Sequence, residues 1–266
     1  MAANPTDRAP WAETSSRQRH EEDHSEGVRR VFDGWVRSGE ALGMERRHKR
    51  LAELMMARFG LPRDARLLDI GCGTGWTARM LADRIPEGAF VGIDASAEMI
   101  LEARRSCADL DNVLFAPASA EQIPWAENYF THVISIESAY YWSETMLASR
   151  EIFRVLAYGG SFHILINYFA ENEFSEGWGR DMGLRLHRMG AEEWEAVFRG
   201  TGFEEVRSDR IPDDSPISPG KPPRELERRK GLQRVGALYV TGCKPALPEQ
   251  LERETLPSGS PFRIVG

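Results

Sequence analysis

Residues Leu67–Trp76 read LLDIGCGTGW, an apolar run that ends at a carboxylate and is followed by glycine at every second position. A short apolar run of this kind is typical of a buried strand, and glycines directly after it are typical of a tight turn. Gly71, Gly73 and Gly75 allow the backbone to turn sharply and to approach a ligand, because glycine has no Cβ. The stretch therefore predicts a strand, a ligand-binding turn and a helix in succession.

On both sides of this turn, apolar runs alternate with segments of helical spacing. The runs RLLDI, FVGID, NVLFA, THVISIE and SFHILIN are separated by helix-like segments such as AEMILEARRSC. Strands that are apolar throughout and joined by helices predict a parallel sheet covered on both faces. FEEVRSDRI and GALYVTGC predict two further strands. We therefore expect an α/β fold, Rossmann-like and doubly wound, with a mostly parallel seven-stranded sheet and helices on both faces.

Changes in composition divide the chain into parts. The first residues are polar, ALGMERRHKRLAELMMARFG has the spacing of an amphipathic helix, and PDDSPISPGKPP is typical of a loop. We predict no fixed structure over 1–24, an N-terminal helical extension or lid over 25–62, the α/β domain over 63–245 with a small cap near 170–190 and a loop near 211–231, and a C-terminal tail over 246–266.

Charge and cysteine content narrow the possible partners. The chain has 34 Lys and Arg against 41 Asp and Glu, a net charge of −7, which does not favour a nucleic-acid backbone. Cys72, Cys107 and Cys243 form neither a disulfide framework nor a zinc spacing. The sequence shows no signal-peptide core and no apolar stretch of membrane-spanning length. We expect a cytoplasmic protein without a nucleic-acid, membrane or metal partner.

The residues around the glycines indicate which ligand the turn binds. A dinucleotide fingerprint needs a small residue where Trp76 stands, so that pattern is incomplete. Asp69, two residues before the first glycine, suits a cation better than a pyrophosphate. Asp94 ends the next predicted strand, where an acid can accept both ribose hydroxyls. A nucleoside with a cationic tail and no phosphate is S-adenosylmethionine, whose carboxylate could lie on the amides near Gly75.

Four segments, in this order, resemble the class I S-adenosylmethionine-dependent methyltransferases. LLDIGCGTG is similar to the first motif of that family, VGIDAS to its second, SAEQIPW to its third, and RVLAYGGSFHI to the stretch that enters its fifth strand. The resemblance covers about residues 65–167 and extends weakly to residue 243. It implies an enzyme that binds S-adenosylmethionine and releases S-adenosylhomocysteine.

The resemblance also implies roles for particular residues. Asp69 would meet the methionine ammonium directly or through water, and Asp94 would hold the ribose. Ser119 stands where many relatives have an aspartate for the adenine amino group, so adenine recognition would pass to the Ala120 backbone or to Glu121. The implied cofactor-binding residues are Asp69, Gly71, Cys72, Gly73, Gly75, Asp94, Ala95, Met99, Ser119, Ala120, Glu121 and Ile136. For Cys72, the role of a small packing residue is the alternative.

ISIESAYYWSE follows the fourth predicted strand, where a methyl acceptor would approach. Glu137 and Ser138 resemble the Glu-Ser pair of small-molecule methyltransferases, which often continue with histidine. Tyr140, Tyr141 and Trp142 stand there instead and suggest an aromatic wall. Glu137, Tyr140 and Tyr141 are the catalytic candidates. Their alternative roles are a helix-start carboxylate and a hydrophobic cover over the core.

We expect methyl transfer to oxygen, nitrogen or carbon of a small, partly apolar metabolite, by a monomer or a homodimer. One alternative is a cofactor-binding protein without turnover. Another is a methyltransferase of RNA or protein, which the net charge and the missing Asn-Pro-Pro-Tyr signature after the fourth strand disfavour. Trp35, Met44 and His48 are candidates either for a lid over the pocket or for the packing of an extra helix.

Overall fold

The computed structural model describes residues 10–217, 220 and 222–247, with the backbone alone for 10–23, 42 and 44. The strands are β1 (Arg66–Ile70), β2 (Ala89–Asp94), β3 (Val113–Pro117), β4 (Phe130–Ile136), β5 (Leu156–Ile166), β6 (Glu204–Ile211) and β7 (Ala237–Cys243). The α-helices of the described part are α1 (Pro10–Ser38), α2 (Met44–Met56), α3 (Trp76–Leu81), α4 (Ala97–Ser106), α5 (Thr145–Val155), α6 (Trp178–Met182), α7 (Ala191–Thr201) and α8 (Pro223–Val235).

The seven strands form one sheet in the order β3-β2-β1-β4-β5-β7-β6. Neighbours from β3 to β5 are parallel, and β7 lies antiparallel between β5 and β6. The chain begins the sheet at β1, adds β2 and β3 on one side, and returns to place β4 on the other side. Ligands of such sheets bind beyond the carboxyl ends of the strands at this reversal. The predicted fold is confirmed.

Helices on both faces bury the central strands. Leu67 of β1 packs into one apolar layer, and Leu68 into the layer on the opposite face, because successive side chains of a strand alternate. The largest fully buried side chains include Phe90, Phe162 and Trp194. Burying each leucine or phenylalanine contributes about 1.5–3 kcal/mol, so the sheet is held rigidly beneath the loops that follow its strands.

The N-terminal region is more helical than the sequence predicted. Residues 1–9 lie outside the described part, but α1 is helical from Pro10, within the range 1–24 for which we predicted no fixed structure. Between Trp11 and Glu26 the sequence contains no glycine or proline, so a helix that has formed can extend through it at little cost. The predicted amphipathic helix is α2, in which Leu51 and Met55 are buried.

The segments after β5 differ in part from the prediction. The predicted cap contains the short helix α6. The predicted loop over 211–231 ends earlier, because α8 begins at Pro223 with proline in its first turn, where the missing N–H is tolerated. Of the predicted tail, residues 248–266 lie outside the described part. Within the described part, no helix is both long and apolar enough to cross a membrane.

Candidate cofactor and acceptor site

A cavity of about 850 Å³ lies beyond the carboxyl ends of β1 to β5, with walls from α1, α2, α6 and α8. Small-molecule sites commonly enclose about 300–1,000 Å³, so this cavity has room for more than one small ligand. The predicted cofactor residues that line it are Gly71, Gly73, Asp94, Ala95, Met99, Ser119, Ala120, Glu121 and Ile136. The predicted catalytic residues Glu137, Tyr140 and Tyr141 line the same cavity.

The glycine turn after β1 lies directly against the loop after β4. Gly71 has a φ of 78°, and a Cβ at this position would overlap the side chain of Ser138. The Ser138 hydroxyl donates a 2.7 Å hydrogen bond to the carbonyl oxygen of Ile70. The absence of a side chain at Gly71 therefore brings the predicted cofactor turn into contact with the loop that carries Glu137.

Asp94 connects the glycine turn to the start of α4. Its Oδ2 accepts a 2.9 Å hydrogen bond from the Gly73 amide, and its Oδ1 accepts one of 2.9 Å from the Ser96 amide. Burial raises the pKa of Asp94 to about 6, although these two amides act in the opposite direction. The carboxyl group is thus held in a defined orientation at the cavity wall, where the sequence analysis expected the ribose.

Asp69 lies behind the cavity wall, with 1% of its surface exposed. Its Oδ2 accepts a hydrogen bond from the Thr77 hydroxyl, and its Oδ1 has no hydrogen-bond partner among the described residues. Burial is the main cause that raises the pKa of Asp69 to about 7. Of the two contacts expected with a methionine ammonium, this position favours the one through water.

Cys72 and Gly75 also lie behind the wall. Cys72 is buried, and its sulfur packs where a side chain at Gly92 would stand. The Gly75 amide donates a 3.1 Å hydrogen bond to the carbonyl oxygen of Cys72, so it closes the turn and does not face a ligand. A Cβ at Gly75 would lie 3.0 Å from the Phe115 ring, hence this glycine serves close packing. The Gly75 amide itself is thus engaged within the turn, and the contact of a cofactor carboxylate with the other helix-opening amides near Gly75 stays a prediction.

The loop after β3 forms another part of the wall. Ser119 pairs with Gln122 in an isolated antiparallel bridge that shapes this loop. Oε1 of Glu121 accepts hydrogen bonds from the Ser143 amide at 2.6 Å and from the Ser143 hydroxyl at 2.9 Å. Glu121 therefore fixes the loop after β4, which is a role that the sequence analysis did not foresee. Ala120, between Ser119 and Glu121 in the chain, also lines the cavity.

Glu137 stands at the end of β4 with left-handed backbone geometry, at a φ of 55°. This conformation is uncommon for residues other than glycine and is often found at functional sites. Its Oε2 accepts a 3.0 Å hydrogen bond from the Tyr140 hydroxyl, and its Oε1 accepts one of 3.0 Å from Asn167 Nδ2. Burial raises the pKa of Glu137 to about 7, against these two hydrogen bonds. A carboxyl group with this pKa can exchange a proton near neutral pH.

Aromatic side chains surround this carboxyl group. The rings of Tyr140 and Tyr141 are 4.5 Å apart, and those of Tyr140 and Tyr168 are 5.4 Å apart. Burial raises the pKa of Tyr140 well above its usual value, so its hydroxyl is a hydrogen-bond donor and not a base at neutral pH. The ring centres of Phe32, in α1, and Tyr141 are 4.9 Å apart, and the two rings are nearly perpendicular. Tyr140, Tyr141 and Trp142, the residues expected to form an aromatic wall, all line the cavity, and Tyr140 and Trp142 also pack into the core.

Helix α1 contacts both sides of the cavity, the side of Asp94 and the side of Glu137. The Ser96 hydroxyl donates a 2.5 Å hydrogen bond to Asp33, and His24 Nε2 is 3.0 Å from the carbonyl oxygen of Tyr141. The lid candidates Trp35 and His48 line the cavity, while the Met44 side chain lies outside the described part. Asn167, just past β5, and Trp178, in the predicted cap, also line the cavity, and three lining residues that the sequence did not indicate are Arg47, Arg228 and Arg229.

The arrangement fits S-adenosylmethionine. Three acids with raised pKa values lie in or directly behind the wall of one cavity, and a nearby cation would stabilise the ionised form of each. A sulfonium nucleoside supplies a positive charge, an ammonium and two ribose hydroxyls. Within the described residues, no cluster of His, Cys, Asp and Glu could hold a metal ion.

Comparison with known proteins decides the family. A methyltransferase-domain family model matches residues 67–160. A Haloferax volcanii methyltransferase, solved in complex with the Trm112 methyltransferase activator, is 30% identical with a TM-score of 0.73, over 80% of this chain and 97% of its own. The chain is a class I S-adenosylmethionine-dependent methyltransferase. The matched region of this methyltransferase includes LLDIGCGTG, the segment that resembles the first motif of the family.

Curated relatives of this methyltransferase match over smaller shares of the two chains. The 2-methyl-6-phytyl-1,4-hydroquinone methyltransferase of Arabidopsis thaliana is 27% identical over 76% of this chain and 58% of its own length. The malonyl-[acyl-carrier protein] O-methyltransferase of Geobacter sulfurreducens is 36% identical over 48% of this chain and 46% of its own. The chain thus spans about half the length of these two relatives.

Proposed function

We propose that this methyltransferase transfers the methyl group of S-adenosylmethionine to oxygen, nitrogen or carbon of a small, partly apolar metabolite. The observation that supports this proposal best is the position of Glu137. Its carboxyl group has a pKa raised to about 7 and shares one cavity with the glycine turn and with Asp94. A proton-accepting group and a nucleoside-binding turn in a single enclosed space suit transfer between two bound small molecules.

In the proposed cofactor half of the site, each residue has a distinct task. Gly71 and Gly73 let the nucleoside lie on bare backbone, and Asp94 accepts hydrogen bonds from the ribose hydroxyls. Asp69 stabilises the methionine ammonium from behind the turn, through water. Ala120 supplies backbone groups to the adenine, because Glu121 is hydrogen-bonded to the loop after β4.

In the proposed acceptor half, the bound cofactor supplies a methyl group on a positively charged sulfur. Glu137 accepts the proton that the acceptor loses, which a pKa of about 7 allows at neutral pH. Tyr140 and Asn167 hold the two carboxyl oxygens of Glu137 in a fixed orientation. Tyr141 and the neighbouring rings exclude water and bind the apolar part of the acceptor.

We further propose that residues 25–62 form a lid over the site. The hydrogen bond from Ser96 to Asp33 joins α1 to the cofactor side, and Phe32 on Tyr141 joins it to the acceptor side. Both ligands would therefore have to pass this helix, and its closure would keep water from the methyl group.

The relatives' names support a small acceptor with an apolar part. One relative is named for a phytyl hydroquinone, another for malonyl-[acyl-carrier protein], and a third, from Staphylococcus aureus, for demethylmenaquinone. These names contain both apolar and anionic groups. The Trm112 complex of the Haloferax relative makes a small activator protein a second candidate partner, besides a second copy of this chain.

The test is transfer of label from methyl-labelled S-adenosylmethionine. The purified chain is incubated with the cofactor and a small-molecule extract, alone and with the Haloferax Trm112 protein, and Glu137→Gln is the matched control. We expect a labelled small molecule with the wild type and little with the variant. Binding of the cofactor without a labelled product in either reaction would favour a cofactor-binding protein without turnover.

A parallel reaction separates the remaining alternative. Total RNA and total protein replace the small-molecule extract under the same conditions. Label in either macromolecule, together with salt-sensitive retention on an RNA column in the case of RNA, would contradict a small-molecule acceptor.

A further inference from the structure

Four arginines contribute to the wall of the cavity. Side chains from α1, α2 and α8 contribute Arg29, Arg47, Arg228 and Arg229 to the lining, against Asp181 and Asp213. We call this part of the wall, made by these four arginines, the arginine wall.

The arginine wall carries positive charge that protein carboxylates do not fully neutralise. Arg228 and Arg229 both bind Glu225, at 3.3 and 3.1 Å, so the two guanidinium groups share one carboxylate. Arg47 donates a hydrogen bond to the carbonyl oxygen of Gly43 and forms no ion pair with another described residue. One further anion would complete this arrangement.

His48 lies between the arginines of two helices. Burial is the main cause that lowers its pKa to about 4, and the charges of Arg47 and Arg229 lower it further. Arg47, Arg229 and this imidazole, which is neutral at pH 7, all line the same cavity. Its Nδ1 is buried without a hydrogen-bond partner among the described residues. A neutral imidazole beside two guanidinium groups can donate a hydrogen bond to an anion without adding charge.

Trp178 of α6 connects the arginine wall to the aromatic rings. The Arg228 guanidinium lies 5.7 Å from the centre of its ring, and its other ring neighbour is Tyr168, at 6.1 Å. The indole Nε1 is a second buried group without a hydrogen-bond partner in the described part of the chain. Because an indole nitrogen can only donate, an acceptor atom of a ligand in the cavity would satisfy it.

We propose that the methyl acceptor is an amphipathic anion, whose charged group binds to Arg47 and Arg229 while its apolar body lies along Tyr140, Tyr141 and Trp178. This inference rests on the proposed function, because it names the class of acceptor for the same cavity. A carboxylate, a sulfonate and a phosphate all match paired guanidinium groups, so the shared property is the oxyanion.

The test is a pair of fluorescent probes of nearly the same shape. The probe 8-anilinonaphthalene-1-sulfonate carries an oxyanion on two aromatic units, and N-phenyl-1-naphthylamine is the corresponding neutral compound. Each is titrated onto the full-length protein saturated with S-adenosylhomocysteine. We expect the sulfonate to bind at least tenfold more tightly than the neutral probe, and Arg47→Gln and Arg229→Gln each to weaken the sulfonate about tenfold. The affinity of the neutral probe should change little.

Matched controls come from the same two helices. Arg46 and Arg224 are exposed and do not line the cavity, so Arg46→Gln and Arg224→Gln remove the same charge without affecting the arginine wall. Equal affinities for the two probes, or equal losses in lining and control variants, would overturn the inference. Since neither probe requires turnover, this failure is distinct from a failure of methyl transfer.

Discussion

The Tyr140 hydroxyl donates a 3.0 Å hydrogen bond to Oε2 of Glu137, at the end of β4. The two residues are three positions apart and lie in one short loop, so the same turn that gives Glu137 its left-handed backbone also places its hydrogen-bond donor. Two opposing effects act on the Glu137 carboxyl group: the hydrogen bond from Tyr140 stabilises its ionised form, and burial opposes ionisation. Their balance sets the pH at which Glu137 accepts a proton.

Glu137→Gln should reduce kcat about 100-fold or more, because a positioned general base contributes about 10²–10⁴-fold to rate. Affinity for S-adenosylhomocysteine should stay within about twofold, since glutamine keeps the size of the side chain and its hydrogen bond to Asn167. Single-turnover kinetics measure the first quantity and calorimetry the second. A variant that binds the cofactor poorly but turns over normally would contradict the assignment.

The rate of methyl transfer should rise with pH and level off above about 7, because Glu137 must lose a proton to act as a base. The hydrogen bond from Tyr140 lowers the pKa of Glu137, so Tyr140→Phe should move the midpoint of the kcat profile to higher pH. A purely structural role of Tyr140 would lower the rate equally at every pH. Profiles from pH 5.5 to 9 distinguish the two cases.

Binding of S-adenosylhomocysteine should release protons near pH 7. Its ammonium favours the ionised form of Asp69, whose pKa burial raises to about 7 in the free protein, so binding lowers this pKa. Affinity should then increase about tenfold between pH 6 and 8. Calorimetry at pH 7 in phosphate and in Tris should give different apparent enthalpies for the wild type and a smaller difference for Asp69→Asn. Identical apparent enthalpies in both buffers would show that ligand binding does not change the pKa of Asp69.

Gly71→Ala should destabilise the fold more than Gly159→Ala. Both glycines have positive φ, at 78° and 73°, so alanine costs about 1–2 kcal/mol of backbone strain at each. Only at Gly71 would the new Cβ meet an obstacle, the side chain of Ser138, since nothing lies within 4 Å of a Cβ at Gly159. Thermal denaturation should show the larger loss for Gly71→Ala and a partial recovery in the background Ser138→Gly. Equal losses for the two alanine variants would contradict this contact.

The sequence predicted those features of the fold that depend on residues close to one another along the chain. LLDIGCGTGW predicted the strand, the turn and the following helix, because apolar pattern and glycine spacing act locally. It did not reveal that Gly75 serves packing against Phe115, or that Glu121 holds the loop at Ser143, since both contacts join segments distant in sequence. Side chains of this kind are placed by the sheet order and not by their neighbours along the chain.

The arginine wall illustrates the same limit. Arg47 belongs to an amphipathic helix and Arg229 to the basic run KPPRELERRKGLQR, and each alone resembles a solvated surface residue. Both residues line one cavity because α2 and α8 each form part of its wall. The start of α1 shows the same limit. Its polar residues 10–24 alone predict no fixed structure, but in the structure they continue the helix formed by residues 25–38.

The most direct test of the account is a crystal structure of the protein with S-adenosylhomocysteine. We expect both ribose hydroxyls within hydrogen-bond distance of the Asp94 carboxylate, the nucleoside on the backbone of Gly71 and Gly73, and the sulfur directed toward Glu137. A nucleoside bound elsewhere, or one whose ribose leaves Asp94 bonded only to the Gly73 and Ser96 amides, would contradict it.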